Sequence, residues 1–126
     1  NINIIDDCYN ANPSSFKVAL DYLSKTVGKK IVLMGDMVEL GKDSKFFHKE
    51  IGEYAMKLDV DKFISIGADS KLASDIFGAN GKHFTDQNSL KSYLNNSIES
   101  NSYILIKGSR SAQLEEYVDY LKSRSN

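Results

Sequence analysis

Apolar positions along the chain change their spacing at short intervals, and the changes fall at glycines and small polar clusters. Ile2, Ile4 and Ile5 read as a strand that stops at Asp6-Asp7. Pro13 then opens a helix, a position where its missing N–H does no harm. Phe16, Ala19, Leu20 and Leu23 fall at i, i+3, i+4 and i+7 on one face of it, and Gly28 is the expected stop. Ile31-Val32-Leu33-Met34 is a continuous apolar run, the pattern of a strand covered on both faces. After a loop over 35–43, Asp43 or Ser44 is expected to cap a helix with Phe47, Ile51, Ala55 and Leu58 on its apolar face. Phe63-Ile64-Ser65-Ile66 is a third strand halted by Gly67, and a short helix over about 69–77 ends at Gly78. Lys82-His83-Phe84 reads as a brief fourth strand. Thr85 or Asp86 caps the next helix, which carries Leu90, Tyr93, Leu94 and Ile98. Tyr103-Ile104-Leu105-Ile106 is the last strand, and Leu114, Tyr117, Val118 and Leu121 are the buried face of the last helix.

Strands alternate with helices throughout. The pattern predicts an α/β fold: a Rossmann-like open, mainly parallel sheet of about five or six strands with helices on both faces. Residues 1–126 suffice for a single domain and are too few for two. In open sheets of this kind ligands bind beyond the carboxyl ends of the strands. That rule gathers Asp6-Asp7, Gly35-Asp36, Gly67-Ala68-Asp69 and Lys107-Gly108-Ser109-Arg110 on one rim.

Composition narrows what the rim can serve. Sixteen Lys plus Arg against 17 Asp plus Glu leave a net charge of -1, so there is neither a basic footprint for nucleic acid nor a polybasic patch for a membrane. No apolar run approaches a membrane span, and no signal peptide is visible. A lone cysteine, Cys8, excludes an internal disulfide, and with two histidines it gives no basis for a structural zinc site. A reducing compartment, the cytoplasm, fits best. The chain begins Asn1-Ile2-Asn3 without an initiator Met and already inside a strand, so it is expected to be a piece of a longer protein.

Three clusters on the rim carry candidate chemistry. In Asp6-Asp7-Cys8-Tyr9-Asn10-Ala11-Asn12-Pro13, a strand-end carboxylate can accept from a ribose diol or help hold a hydrated Mg²⁺, and the Asn side chains can donate to phosphate. The same residues are equally suited to making a turn and capping the helix. In Lys107-Gly108-Ser109-Arg110-Ser111, glycine permits close backbone approach, and two cations at a helix N-terminus oppose its dipole, a conflict an anionic ligand would relieve. The alternative is a solvated charged turn. No GxxxxGK[ST] phosphate loop occurs anywhere. The 35–43 loop holds Met37, Val38 and Leu40 beside Asp36 and Glu39; it faces a substrate amine or folds onto its own domain. His48 and His83 lack a readable catalytic partner, and Cys8 reads as a small buried hydrophobe. A phospho-accepting receiver domain shares the length, the paired acids and the late Lys. It needs an acceptor Asp after the third strand near mid-chain, where residues 50–57 are helical here.

Taken together, Asp6-Asp7-Cys8-Tyr9-Asn10-Ala11-Asn12-Pro13-Ser14-Ser15, then Gly35-Asp36-Met37-Val38-Glu39-Leu40-Gly41 with His48 seven residues on, then Lys107-Gly108-Ser109-Arg110, resemble the C-terminal domain of the Mur ligases. The resemblance runs over essentially the whole chain and is nearest to the branch that adds D-alanyl-D-alanine to UDP-MurNAc-tripeptide; a sister amino acid ligase is the alternative. It implies the third domain of an ATP-dependent, monomeric, cytoplasmic carboxylate–amine ligase of cell-wall peptidoglycan precursor synthesis. ATP and Mg²⁺ would be held mainly by a preceding central domain, and the UDP-sugar by a first one. By resemblance Asp7 would bind the ATP ribose, Asn10 would lie beside the nucleotide, and Asn12 would support the same loop. Lys107, Ser109 and Arg110 would face the phosphate and the dipeptide carboxylate, with Lys107 and Asn10 serving the chemistry directly. Asp36 and Glu39 would line the dipeptide site. The separated domain is expected to be inactive.

Overall fold

The computed structural model describes residues 1–124. Strand β1 (Ile2–Asp7) leads to helix α1 (Pro13–Ser24), β2 (Lys30–Gly35), α2 (Ser44–Lys57), β3 (Lys62–Ile66), α3 (Ser70–Phe77), β4 (Gly81–Phe84), α4 (Gln87–Ser97), β5 (Ser102–Lys107) and α5 (Glu115–Arg124). The five strands form one parallel sheet in the order β1-β5-β2-β3-β4. The last strand therefore lies between the first two. That order differs from the 2-1-3-4-5 arrangement of receiver domains, which removes the signalling alternative.

The alternation of side chains along each strand divides the core into two layers. Val32, Met34, Phe63 and Leu105 pack under Phe16, Leu20 and Leu23 of α1, Ile51 and Ala55 of α2, and Ala73 and Phe77 of α3. Ile31, Leu33, Ile64, Ile104 and Ile106 pack under Leu90 and Leu94 of α4 and Leu114, Tyr117, Val118 and Leu121 beside and along α5. Ile31 to Met34 are all buried, as an uninterrupted apolar run requires of a strand covered on both faces. The sheet has five strands, and the expected helices lie on both of its faces.

Local chemistry explains most element ends. Asn12 caps α1: its side chain accepts from the Ser15 N–H at 2.9 Å, and Ser15 Oγ accepts from the Asn12 N–H at 3.1 Å, with Pro13 in the first turn. Asp86, rather than Thr85, caps α4 by accepting from the Ser89 N–H at 2.9 Å, and that bond holds its carboxyl below the usual value. Some expected ends are displaced. Helix α1 stops at Ser24, and Gly28 instead takes a left-handed turn (φ 123°) into β2. Asp43 occupies the cap position of α2 but its side chain makes no capping bond, because a 3-10 turn over Gly41–Asp43 leads directly into the helix, and Ser44 is already helical, its hydroxyl donating to Asp69. Ile98 lies just past α4, in extended conformation.

Helices α2 and α3 touch backbone to backbone at Gly52, which is buried; a Cβ there would meet the Ala73 carbonyl. Gly52→Ala is accordingly expected to destabilise the domain by about 1–3 kcal/mol, since the obstacle is main chain that cannot swing aside. The midpoint of chemical denaturation checks this. A second expectation concerns acid. His83 bonds Ser65 Oγ at 2.8 Å, and burial, with Lys71 adding, lowers its imidazole below the ordinary 6.5. A lowered folded-state value means stability that is complete above pH 6.5 and declines as pH falls through the lower folded value. Denaturation midpoints on either side of that pH should show the decline in the native protein and a flatter limb in His83→Gln.

Candidate functional site

Parallel register puts the rim together. Asp7 pairs across from Lys107, and Lys107 from Met34, so the ends of β1, β5 and β2 lie side by side at the carboxyl edge of the sheet. The loops that follow are packed without spare room. A Cβ on Gly108 would stand 2.8 Å from Leu114 Cδ1 and 2.9 Å from Gly35 Cα. The small size of Gly108 thus serves the contact between the β5 and β2 loops, not the approach of a ligand.

Lys107 is the central charge of this edge. Its side chain is buried, and Nζ donates to Asp7 Oδ2 at 2.6 Å and to the Asn10 carbonyl at 3.0 Å, with the Phe16 ring 5.9 Å away. An ammonium taken out of water needs such partners. The ion pair ties the last residue of β1 to the last residue of β5 and fixes the start of the Asn10 loop. Asp7 remains 42% exposed, and its Oδ1 has no hydrogen-bond partner among the described residues.

Around this pair the rim opens into three clefts. The largest, about 640 Å³, has Asp7, Asn10 and Lys107 at one end and an apolar wall of Ile5, Val18, Ala19 and Tyr22. The second, about 420 Å³, is lined by Asp6, Asp7, Cys8, Tyr9, Arg110 and Glu115. Arg110 is exposed and forms no ion pair among the described residues; its guanidinium lies 5.2 Å from the centre of the Tyr9 ring. The third, about 270 Å³, brings Asp36, Val38, Gly67 and Ser109 together. Another cavity, about 170 Å³, lies at the opposite, amino end of the strands beside Lys29, Lys62 and Ser102.

The expected site residues thus separate into groups. Asp7, Asn10 and Lys107 share one cleft, and Arg110 meets Asp7 in the next. Asn12 uses its side-chain oxygen as the α1 cap, the structural role open to it from the start. Ser109 is buried, its hydroxyl on Ser111 Oγ at 2.8 Å and its N–H on the Asp36 carbonyl at 2.9 Å. Both Asp36 carboxylate oxygens accept main-chain N–H groups at the start of α3, Oδ1 from Ser70 at 2.8 Å and Oδ2 from Asp69 at 3.3 Å. Asp36 is therefore chiefly an anchor between two loops. Glu39 is exposed, with left-handed backbone (φ 62°), and lines none of the three clefts.

The helix-dipole conflict expected at Lys107 and Arg110 does not arise. A 3-10 turn over Arg110–Ala112 and a left-handed Gln113 intervene, and α5 begins at Glu115 with two acids in its first turn, where negative charge is favourable. Cys8 is buried against the Ile106 carbonyl, and burial, reinforced by Asp6, pushes its thiol far up, so it is no nucleophile.

Sequence reasoning missed the polar ring behind the third cleft. Ser44 Oγ donates to Asp69 Oδ2 at 2.6 Å, and the buried His48 accepts the Met37 N–H on Nε2 at 3.0 Å. The position of His48 within the apolar stripe of its helix was the available signal.

As to which groups this rim fits, Asp7 offers a free carboxylate oxygen beside an apolar wall, the acceptor and surface that suit a ribose and its base. Metal is different: among the described residues no three His, Cys, Asp or Glu side chains gather to hold an ion.

Comparison with known proteins bears on the chain as a whole. The family model described as Mur ligase, glutamate ligase domain, matches residues 1–110. The UDP-N-acetylmuramoyl-tripeptide–D-alanyl-D-alanine ligase of Buchnera aphidicola (subsp. Acyrthosiphon pisum) is 41% identical over 124 residues, 97% of this chain and 27% of that protein. The Escherichia coli enzyme of the same name is 38% identical over 94% of the chain and 26% of its own length. Among solved structures, MurF from Acinetobacter baumannii superposes with a TM-score of 0.83 at 31% identity, over 94% of this chain and 28% of that one. MurF from Thermotoga maritima in complex with ADP gives 0.81 at 27% identity, over 97% and 28%. The chain thus spans about a quarter of the length of the curated relatives it matches.

The Lys107–Asp7 pair makes a stability prediction. Asp7→Asn leaves a buried cation with only neutral acceptors, whereas Lys107→Met leaves a carboxylate that water can reach. Discounting for the partial exposure of Asp7, the first should cost about 2 kcal/mol and the second less. Thermal unfolding of the two variants ranks them, and the reverse order would show that Lys107 is not held by this pair.

Proposed function

This chain belongs to the Mur ligase family, and we propose that it is the C-terminal, third domain of an ATP-dependent ligase that joins D-alanyl-D-alanine to UDP-MurNAc-tripeptide in peptidoglycan precursor synthesis. The observation that carries the reading is the match of nearly the whole chain to proteins named for that one ligation. The geometry supports it by setting an open cleft of about 640 Å³ next to an arginine that forms no ion pair among the described residues.

When bound, ATP would supply the phosphoryl group that activates the tripeptide carboxylate as an acyl phosphate, leaving ADP; the dipeptide amine would then attack the acyl carbon and inorganic phosphate would leave. This chain binds and orients. Asp7 Oδ1 accepts from the ribose hydroxyls, and Asn10 lies beside the nucleotide at the mouth of the same cleft. Lys107, fixed by Asp7 and the Asn10 carbonyl, contributes a positive charge that needs no rearrangement as negative charge builds on the transferred group. Arg110 reaches into solvent and takes the dipeptide carboxylate in a two-point grip. Ser109 and Asp36 shape the cleft beside it, and Glu39 projects from the adjoining loop toward the amine. Bringing these groups over the preceding domains excludes water that would otherwise hydrolyse the acyl phosphate. We assign Mg²⁺ and the phosphate cradle to the central domain, the UDP-sugar to the first, and the whole to a monomeric cytoplasmic enzyme. Among the described residues no helix is long and apolar enough to cross a membrane.

Phosphate release by the full-length protein with ATP, Mg²⁺ and UDP-MurNAc-tripeptide should depend on added D-alanyl-D-alanine. Release that requires a single amino acid instead would move the protein to a sister ligase, and no release with any amine would remove the reading. Arg110→Ala should raise KM for the dipeptide about tenfold and KM for ATP little. Residues 1–126 alone should release no phosphate under the same conditions.

A further inference from the structure

The loop after β2 keeps a shape that costs free energy. Glu39 lies at φ 62°, in the left-handed region disfavoured for residues with a Cβ, and such a conformation persists only where the surroundings fix it. The fixing is unevenly distributed. Asp36, at the start of the loop, is held by Ser109, Asp69 and Ser70. From Met37 to Leu40, one hydrogen bond reaches another element among the described residues: the Met37 N–H donates to His48 Nε2 at 3.0 Å. His48 is fully buried on α2, whose Ile51 and Ala55 sit in the core, so the acceptor is on a rigid support. Because Nε2 accepts, the ring proton is on Nδ1, which donates to the Ser44 carbonyl at 2.7 Å. Both ring nitrogens are engaged, and the imidazole has no access to a substrate.

We infer that His48 is a positioning residue for the amine substrate: by holding the Met37 N–H it sets the turn at Val38-Glu39 that presents Glu39 to the incoming dipeptide. The inference rests on the reading of this loop as a wall of the dipeptide site. Nothing in it requires His48 to change its protonation during turnover. Its effect is geometric, and a small displacement of a contacting group is enough to weaken binding.

Two amides of different length separate the inference from general damage to the fold. In His48→Gln the side-chain oxygen reaches the place of Nε2 and can accept from Met37. In His48→Asn the amide reaches only the place of Nδ1, keeping the Ser44 bond and losing Met37. In the full-length enzyme, His48→Asn is expected to raise KM for D-alanyl-D-alanine about fivefold or more, with KM for ATP changed less than about twofold, and His48→Gln to restore the dipeptide KM. An unchanged dipeptide KM in His48→Asn overturns the inference. So does a parallel loss for both substrates that tracks a lowered Tm in both variants, the mark of a purely structural histidine. Glu39→Ala tests the underlying reading separately. A raised dipeptide KM there with no effect in His48→Asn defeats the inference alone, and no effect in either defeats the loop assignment as well.

Discussion

The structure depends on β5 being both the last strand and the central one of three. β1 and β2 do not touch each other as strands; each is hydrogen-bonded to β5, which lies between them. A parallel insertion of this kind excludes a one-residue slip on either side, because Ile104 and Ile106 must face one layer of the core and Leu105 the other. With register set, the residue that ends β5 arrives between the ends of its two neighbours. That residue is a lysine, and its burial then demands the carboxylate at the end of β1. Fold and rim are therefore joined at one ion pair: the same contact closes the sheet edge and leaves one oxygen of the partly exposed Asp7 at the rim.

Away from that pair, the rim is tied together by side-chain hydrogen bonds from one element to the main chain or side chain of another. Asp36 takes the first N–H groups of α3, Ser44 takes Asp69, and His48 takes Met37. Buried polar groups left unmatched are costly, so such links hold loops as firmly as apolar packing does. They also divide the candidate residues. Asp36 and Ser109 are largely committed to the protein, while the Asn10 and Arg110 side chains and one carboxylate oxygen of Asp7 make no hydrogen bond among the described residues.

What could be read from the sequence follows from the range of the forces involved. The run Ile31–Met34, the stripe Phe16-Ala19-Leu20-Leu23 and the Asp86 cap are local patterns, and they appear where the pattern puts them. The rim itself was legible because strand ends in a parallel sheet share one edge, and the motifs at Asp7, Asp36 and Lys107 fall there. Strand order was not, since nothing in β5 itself says which strands flank it. Local propensity misled at the start of α2: Ser44 could cap the helix, yet the preceding 3-10 turn makes it already helical, and its hydroxyl donates to Asp69 instead. It misled again after β5, where Leu114 is apolar at helical spacing but precedes α5, so the cations at Lys107 and Arg110 are separated from the helix start. Gly52 gave no warning because close approach of two helices leaves no periodic trace.

The central place of β5 also bears on how the chain comes off the ribosome. Translation delivers β1 through β4 first, and until residues 102–107 have cleared the exit tunnel, β1 has no strand to pair with and one edge of β2 stays open. The nascent domain waits with β1 unpaired and one edge of β2 open, both well suited to catching other strands, and short delays at β5 matter more than delays at β1. Synonymous changes that slow elongation through the stretch coding for β5 would lengthen that exposure without altering a single side chain.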